Sequence, residues 1–188
     1  MERSAIFIDG GYLEKLMQKR FDSIRIDMGR LSEVLADGSD VLRTYYYHCP
    51  PYLGPQSGDA DHQRYQNKQR FFTMLNSLPS YQVRLGKLEF RGVDRLTDKP
   101  IFQQKRVDIM LGVDMVELAA TRQIQRAILL AGDSDFLAVV EAVKRHGVRM
   151  VLWHGPRGGE SNTVHDELWD ACDIRHELTV QLMQELAL

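Results

Sequence analysis

ILLAGDSDF, residues 128–136, joins an unbroken aliphatic run to a glycine and then to Asp133 and Asp135. A run of that kind, without polar alternation, suits a strand buried on both faces, as in the centre of a parallel sheet. SAIFIDGGYL, residues 4–13, repeats the arrangement: apolar strand, aspartate, glycine, helical pattern. The two stretches predict neighbouring strands that each end in an acid. In an open parallel sheet the carboxyl ends of the strands share one edge, and ligands bind where adjacent strands send their helices to opposite faces. If the first and fourth strands are neighbours, Asp9, Asp133 and Asp135 converge there.

Outward from these stretches, strand and helix patterns alternate. Strand candidates are 4–9, 40–48, 81–90, 126–132 and 148–154, all short and rich in β-branched, aliphatic and aromatic residues. Helical spacing marks 11–21, 28–37, 61–78, 105–123 and 135–147. This order predicts an α/β fold: a three-layer Rossmann-like sandwich with a mostly parallel central sheet of about five strands. YQVRLGKLEF, residues 81–90, interleaves polar residues and belongs toward an edge, and RGVDRLTDKPIFQQ after it reads as a loop or hairpin turning at Gly92, Asp98 and Pro100. CPPYLGPQSGDAD, residues 49–61, reads as a surface loop. Tyr45, Tyr46, Tyr47, Trp153 and Trp169 are read as packing residues.

The chain's totals narrow the function classes. At 188 residues, 44% hydrophobic and 27% charged, the expectation is a single domain over residues 1–188 with its own core. Net charge is −2, so no molecule-wide field draws in nucleic acid, and a polyanion must be held locally. Cys49 and Cys172 fit neither a disulfide framework nor a four-ligand zinc site, which points to a reducing cytoplasm. No stretch is long and apolar enough for a membrane span, and the amino terminus does not read as a signal peptide.

KRVDIMLGVDMVELA, residues 105–119, supplies further acids. Its apolar residues fall on almost every side, which predicts a well-buried helix. Asp108 and Asp114 lie about 240° apart around its axis, so only one can face the strand ends; Asp108 is the better placed, although its position near the helix start also suits a cap. Two carboxylates about 4 Å apart repel by roughly 4 kcal/mol near a protein surface. An all-oxygen cluster of them therefore calls for Mg²⁺ or Mn²⁺, ions that bind phosphate oxygens and activate water. For Asp133 and Asp135 the simpler alternative is one helix cap beside one solvated acid, with Ser134 a further cap candidate.

FIDGGYL, KRVDIMLGVDMVELA and LLAGDSDFLAVVEAVKRHGVRMVLW resemble, in order and spacing, the NYN domain, the LabA-like branch of the PIN-like nuclease superfamily, over roughly residues 3–175. The resemblance implies a PIN-like sandwich, Asp9, Asp108, Asp133 and Asp135 as catalytic metal-binding acids, Mg²⁺ or Mn²⁺ as cofactor, and cleavage of RNA, single-stranded by preference. It sets Lys105 at the rim. Tyr12 stands where many relatives have Asn, and can hydrogen-bond or stack on a base. Ser134 joins the substrate-binding candidates.

GPRGGESN, residues 155–162, lacks both glycine-rich phosphate motifs and reads as a turn before a short helix capped by Asn162 or Thr163. It follows a strand's carboxyl end, so His154, Arg157 and Ser161 are substrate-contact candidates. A nucleophile elbow at Ser134 fails because Phe136 replaces its second glycine. Arg64 and Lys68, one turn apart, are read as a solvated helix face. A non-catalytic RNA- or nucleotide-binding module on the same fold is the alternative function, and a homodimer is left open.

Overall fold

The computed structural model describes residues 2–55, 57–94, 97, 100–158 and 163–188, with backbone alone at 104. Its elements in chain order are β1 (Arg3–Asp9), α1 (Gly10–Arg20), α2 (Met28–Ala36), β2 (Asp40–His48), α3 (Asp59–Ser77), β3 (Tyr81–Leu85), β4 (Lys87–Val93), β5 (Pro100–Lys105), α4 (Val107–Ala120), β6 (Arg126–Leu130), a 3₁₀ turn (Ser134–Phe136), α5 (Leu137–Arg145), β7 (Arg149–His154), α6 (Asp166–Ala171), β8 (Ile174–Glu177) and α7 (Val180–Glu185).

Six strands form one sheet in the order β3-β2-β1-β6-β7-β8, all parallel. β4 and β5 pair antiparallel in a separate ribbon. The sheet thus has six strands where five were expected. The sixth, β8, is IRHE, too short and polar to signal itself; it is recruited by pairing with β7 at the sheet's edge. YQVRLGKLEF is two strands, not one. It breaks at Gly86, where an added Cβ would lie 2.5 Å from the carbonyl of Lys105, so only glycine lets the ribbon leave the sheet there.

Successive strand residues face opposite sides, so each central strand feeds two cores. Ala5, Phe7, Tyr45, Tyr47, Leu129, Met150 and Leu152 pack under α4, α5 and α6. Ile6, Ile8, Tyr46, Ile128, Leu130, Val151 and Trp153 pack under α1, α2, α3 and α7. That two-sided burial is what the unbroken apolar runs AIFI and AILL reflect. From β1 the chain winds outward through β2 and β3 with helices on one face; α4 returns it to β6 on β1's other side, and β7 and β8 continue with helices on the second face. The winding therefore reverses between β1 and β6, and the carboxyl ends of those two strands open onto a crevice.

α4 departs from expectation. Leu111, Met115 and Leu118 are buried against the sheet, but Ile109 is 73% and Val113 57% exposed. An apolar sequence on all sides does not bury a helix when only one side has a partner.

Candidate active site

The crevice at the reversal point is a cleft of about 470 Å³ lined by Asp9, Gly11, Tyr12, Lys15, Asp108, Gly132, Asp133, Thr163, Val164, His165 and Asp166. Each acid is placed by backbone geometry. β1 ends at Asp9, whose Oδ1 accepts the Tyr12 amide at 3.0 Å and caps α1. One strand over, β6 leads through Gly132 to Asp133, whose Oδ1 accepts the Asp135 amide at 3.1 Å and caps the 3₁₀ turn. The capping alternative thus describes Asp133 correctly, but the same residue also lines the cleft. Asp108 does not cap: α4 begins at Arg106 with no side-chain cap, and Asp114 instead accepts the Tyr47 hydroxyl at 2.8 Å and pairs with Arg84 at 3.2 Å. Asp135 lies beside Asp108 in an adjoining groove.

The electrostatics record the crowding. Burial holds the Asp9 carboxyl above the usual carboxylate range despite the amides of Tyr12 and Gly11 and the positive charges of His48 and Lys15. Asp108 is raised by shielding and then by Asp9, Asp133 and Asp135, acids that come from two other parts of the chain. Oxygen donors of this kind suit a hard divalent cation. Among the described residues, however, no three His, Cys, Asp or Glu side chains are grouped tightly enough to hold an ion as they stand. The acids gather as expected but more loosely: Asp9 and Asp133 each commit an oxygen to a helix start, and like charges lower their energy by staying apart.

Tyr12 closes the wall opposite. Its hydroxyl accepts the Gly155 amide at 2.9 Å, and burial raises its phenol. The ring lies so close to Gly132 that an added Cβ would collide with it and with the carbonyl of Thr163.

The other candidates distribute around this cleft. Arg157 binds Asp166 at 2.6 Å and stacks over Trp169 at 4.2 Å, with Arg175 also over that indole at 4.3 Å. Trp169 is half-buried and packs against the core as expected, and it also carries two guanidiniums on its indole. His154 is only 4% exposed and lies outside the lining; its Nδ1 faces the Gly155 carbonyl at 2.7 Å and its Nε2 accepts the Trp169 indole N–H at 3.2 Å. Lys105 is engaged with Glu89 at 3.7 Å, and Ser134 lies in the 3₁₀ turn outside the lining. Ser161 and Asn162 fall outside the described residues. The N-cap position of α6 is His165 and not Thr163, with no side-chain cap; the Gly132 carbonyl takes the His165 amide at 2.9 Å.

Sequence reading did not single out Lys15, His165 or Asp166, and named Thr163 only as a helix cap. Lys15 carried a signal, being one helical turn from Gly11 and Tyr12 on the helix that Asp9 caps. The others are brought in by a loop path that no local pattern encodes.

A doubly wound parallel sandwich with carboxylates at its reversal point has the build of the PIN-like nucleases. The NYN domain model matches residues 3–179, and the chain belongs to that family, a member of the PIN-like nuclease superfamily. Its relatives include the uncharacterized protein y4oD of Sinorhizobium fredii (strain NBRC 101917 / NGR234), 29% identical over 123 residues, 62% of this chain. The match spans 53% of that relative, so this chain covers about half its length. A crystal structure of a protein of unknown function from Vibrio parahaemolyticus RIMD 2210633 shares the fold with a TM-score of 0.65 at 17% identity, over 95% of this chain and 93% of that one.

Proposed function

We propose that this chain is a divalent-metal-dependent ribonuclease of the LabA-like branch, one domain over residues 1–188 that hydrolyses phosphodiester bonds of single-stranded RNA. The observation that carries the reading is the gathering of Asp9, Asp108 and Asp133 on one open cleft, with Asp135 beside Asp108 in the adjoining groove. Mg²⁺ or Mn²⁺ is the cofactor this donor set suits; drawn together, Asp9, Asp108, Asp133 and Asp135 would hold the ion, which would supply an acidified water and positive charge for the scissile phosphate. The chain's own residues do the positioning. Asp9 and Asp133 are fixed by backbone amides at the ends of two paired strands, so their separation is set by the sheet. Lys15 brings the cation that lines the cleft, and Arg157, held by Asp166 and Trp169, stands ready at the rim for a phosphate. Lys105, Tyr12, Ser134, His154 and Ser161 complete the proposed substrate side. Buried free thiols at Cys49 and Cys172 agree with a reducing cytoplasm, and among the described residues no helix is long and apolar enough to cross a membrane.

The test is cleavage of labelled single-stranded RNA with Mn²⁺, Mg²⁺ or EDTA. Wild type cleaves only with the ion, and Asp9→Asn or Asp133→Asn lowers the rate by about 10²-fold or more while far-ultraviolet circular dichroism is unchanged. Retained cleavage in both variants refutes the assignment. Tyr12 favours a second reading, a non-catalytic RNA- or nucleotide-binding module, since it stands where the family resemblance implies an Asn and its hydroxyl is committed to Gly155. Stabilisation by Mn²⁺ without turnover is its outcome. Light scattering on the same preparation reads whether two copies pair.

A further inference from the structure

The chain is acidic overall at −2, yet residues 87–106 hold six basic and three acidic side chains. Within the two strands of the β4–β5 ribbon, which stands outside the main sheet, the charged residues are Lys87, Arg91 and Lys105 against Glu89. Its register puts Lys87 opposite Lys105 and Glu89 opposite Gln103, on one side of the ribbon. Arg91 reaches the same side, donating to Gln103 at 2.9 Å. Lys87, Arg91 and Lys105 all converge on one carboxylate, Glu89, at 3.7, 3.2 and 3.7 Å. One negative charge cannot neutralise three positive ones, and Arg106, the next residue along, has no ion-pair partner among the described residues.

The ribbon's other side is aromatic. Phe90 and Phe102 face each other across the strands, 5.9 Å apart between centroids and edge to face, and are 46% and 40% exposed. Tyr52 approaches them at 6.1 and 5.2 Å. Between Phe90 and Gly92 the pairing slips by a bulge, a feature that strengthens a ribbon's twist. At its base the ribbon runs through Lys105 and Arg106 into α4, two residues before Asp108.

We infer that the β4–β5 ribbon is a single-strand nucleic-acid arm: Lys87, Arg91 and Lys105 take backbone phosphates, and Phe90 and Phe102 stack bases of the strand leading to the acidic cleft. Charge complementarity selects a polyanion, and half-exposed rings on the ribbon's other side select one whose bases are free to stack. A duplex hides its base faces, so it cannot use the rings. The inference rests on the nuclease reading for the strand's destination, but not for its binding.

Binding is therefore measured apart from cleavage, by fluorescence polarisation of a labelled oligouridylate in EDTA. Phe90→Ala/Phe102→Ala weakens binding by at least about fivefold, the lower end of what base stacking contributes. Lys87→Gln/Arg91→Gln, at exposed positions that leave folding intact, also weakens it, and flattens the dependence of log Kd on log salt by about 1.4. A duplex competitor displaces the oligonucleotide poorly. Wild-type affinity in the charge variant, no binding by wild type, equal affinity for duplex, or a changed oligomeric state with unchanged affinity in the phenylalanine variant each overturns the arm. Weakened binding in the variants alongside a wild type that cuts no RNA upholds the arm and removes only the nuclease reading. Normal binding in the variants alongside a cleaving wild type does the reverse.

Discussion

Gly132 is the residue on which the cleft closes. The Tyr12 ring and the Thr163 carbonyl both crowd the place a Cβ would take, so Gly132→Ala must move backbone as well as a side chain. Such overpacking costs about 1–3 kcal/mol, read as a lowered midpoint in urea denaturation. Tyr12→Phe keeps the ring and removes the hydroxyl that accepts the Gly155 amide and also bonds the Thr163 side chain. It costs about 1 kcal/mol, with the midpoint lowered and the slope of the transition unchanged. At this scale the sequence was informative where chemistry is local. Asp9 and Asp133 each follow a strand and precede a helical turn, which makes them cap and cleft residue at once. His154 was not legible in the same way: its burial depends on Trp169, fifteen residues on, and nothing near His154 announces that partner.

Among the elements, α1, β2 and α3 are tied at Glu14, whose Oε2 receives His48 Nε2 and Lys68 Nζ, each at 2.7 Å. Lys68 is thus an anchor between helices, where a solvated face was expected. The His48 and Lys68 contacts hold the Glu14 carboxyl down at about 2, against 4.5 for the free group. A depressed folded-state value means the stabilisation is present above the unfolded value and is lost as pH falls from about 4.5 toward 2. Glu14 is partly exposed, so solvent screening reduces the effect to about 1 kcal/mol. Glu14→Gln lowers stability at pH 7 and removes that share of the acid sensitivity, as melting curves across the acid range will show. α4 supports a second contrast. Ile109 faces solvent, so Ile109→Lys stays within about 0.5 kcal/mol of wild type. Leu111, fully buried two residues later, costs about 2–5 kcal/mol as Leu111→Ala. Apolar content identified this helix but not its exposed side, because the exposed side is set by where α5 and the sheet stop.

For the whole molecule, the cleft concentrates acids against the fold's own stability. Asp108 feels three other carboxylates and has no ion-pair partner among the described residues, so Asp108→Asn relieves repulsion without breaking a bridge. The variant melts higher than wild type in EDTA, by about 2–4 °C for each kcal/mol relieved. Mn²⁺ reverses the order if the aspartates hold the ion, since binding stabilises only the form that binds. An Asp108→Asn protein that melts lower in EDTA and gains as much from Mn²⁺ as wild type would remove this residue from the cluster.

The sequence by itself determined the alternation of strand and helix, the two-sided burial of the central strands and the acids that end β1 and β6, because each is written in a period or in an adjacent pair of residues. Only the tertiary structure decided the rest. Pairing with β7 made a strand of IRHE, a glycine with no room for a side chain split β4 from β3, and the return of residues 163–166 to Gly132 completed the cleft wall. Those outcomes depend on contacts between segments far apart in the chain, and a local pattern carries no record of its distant partner.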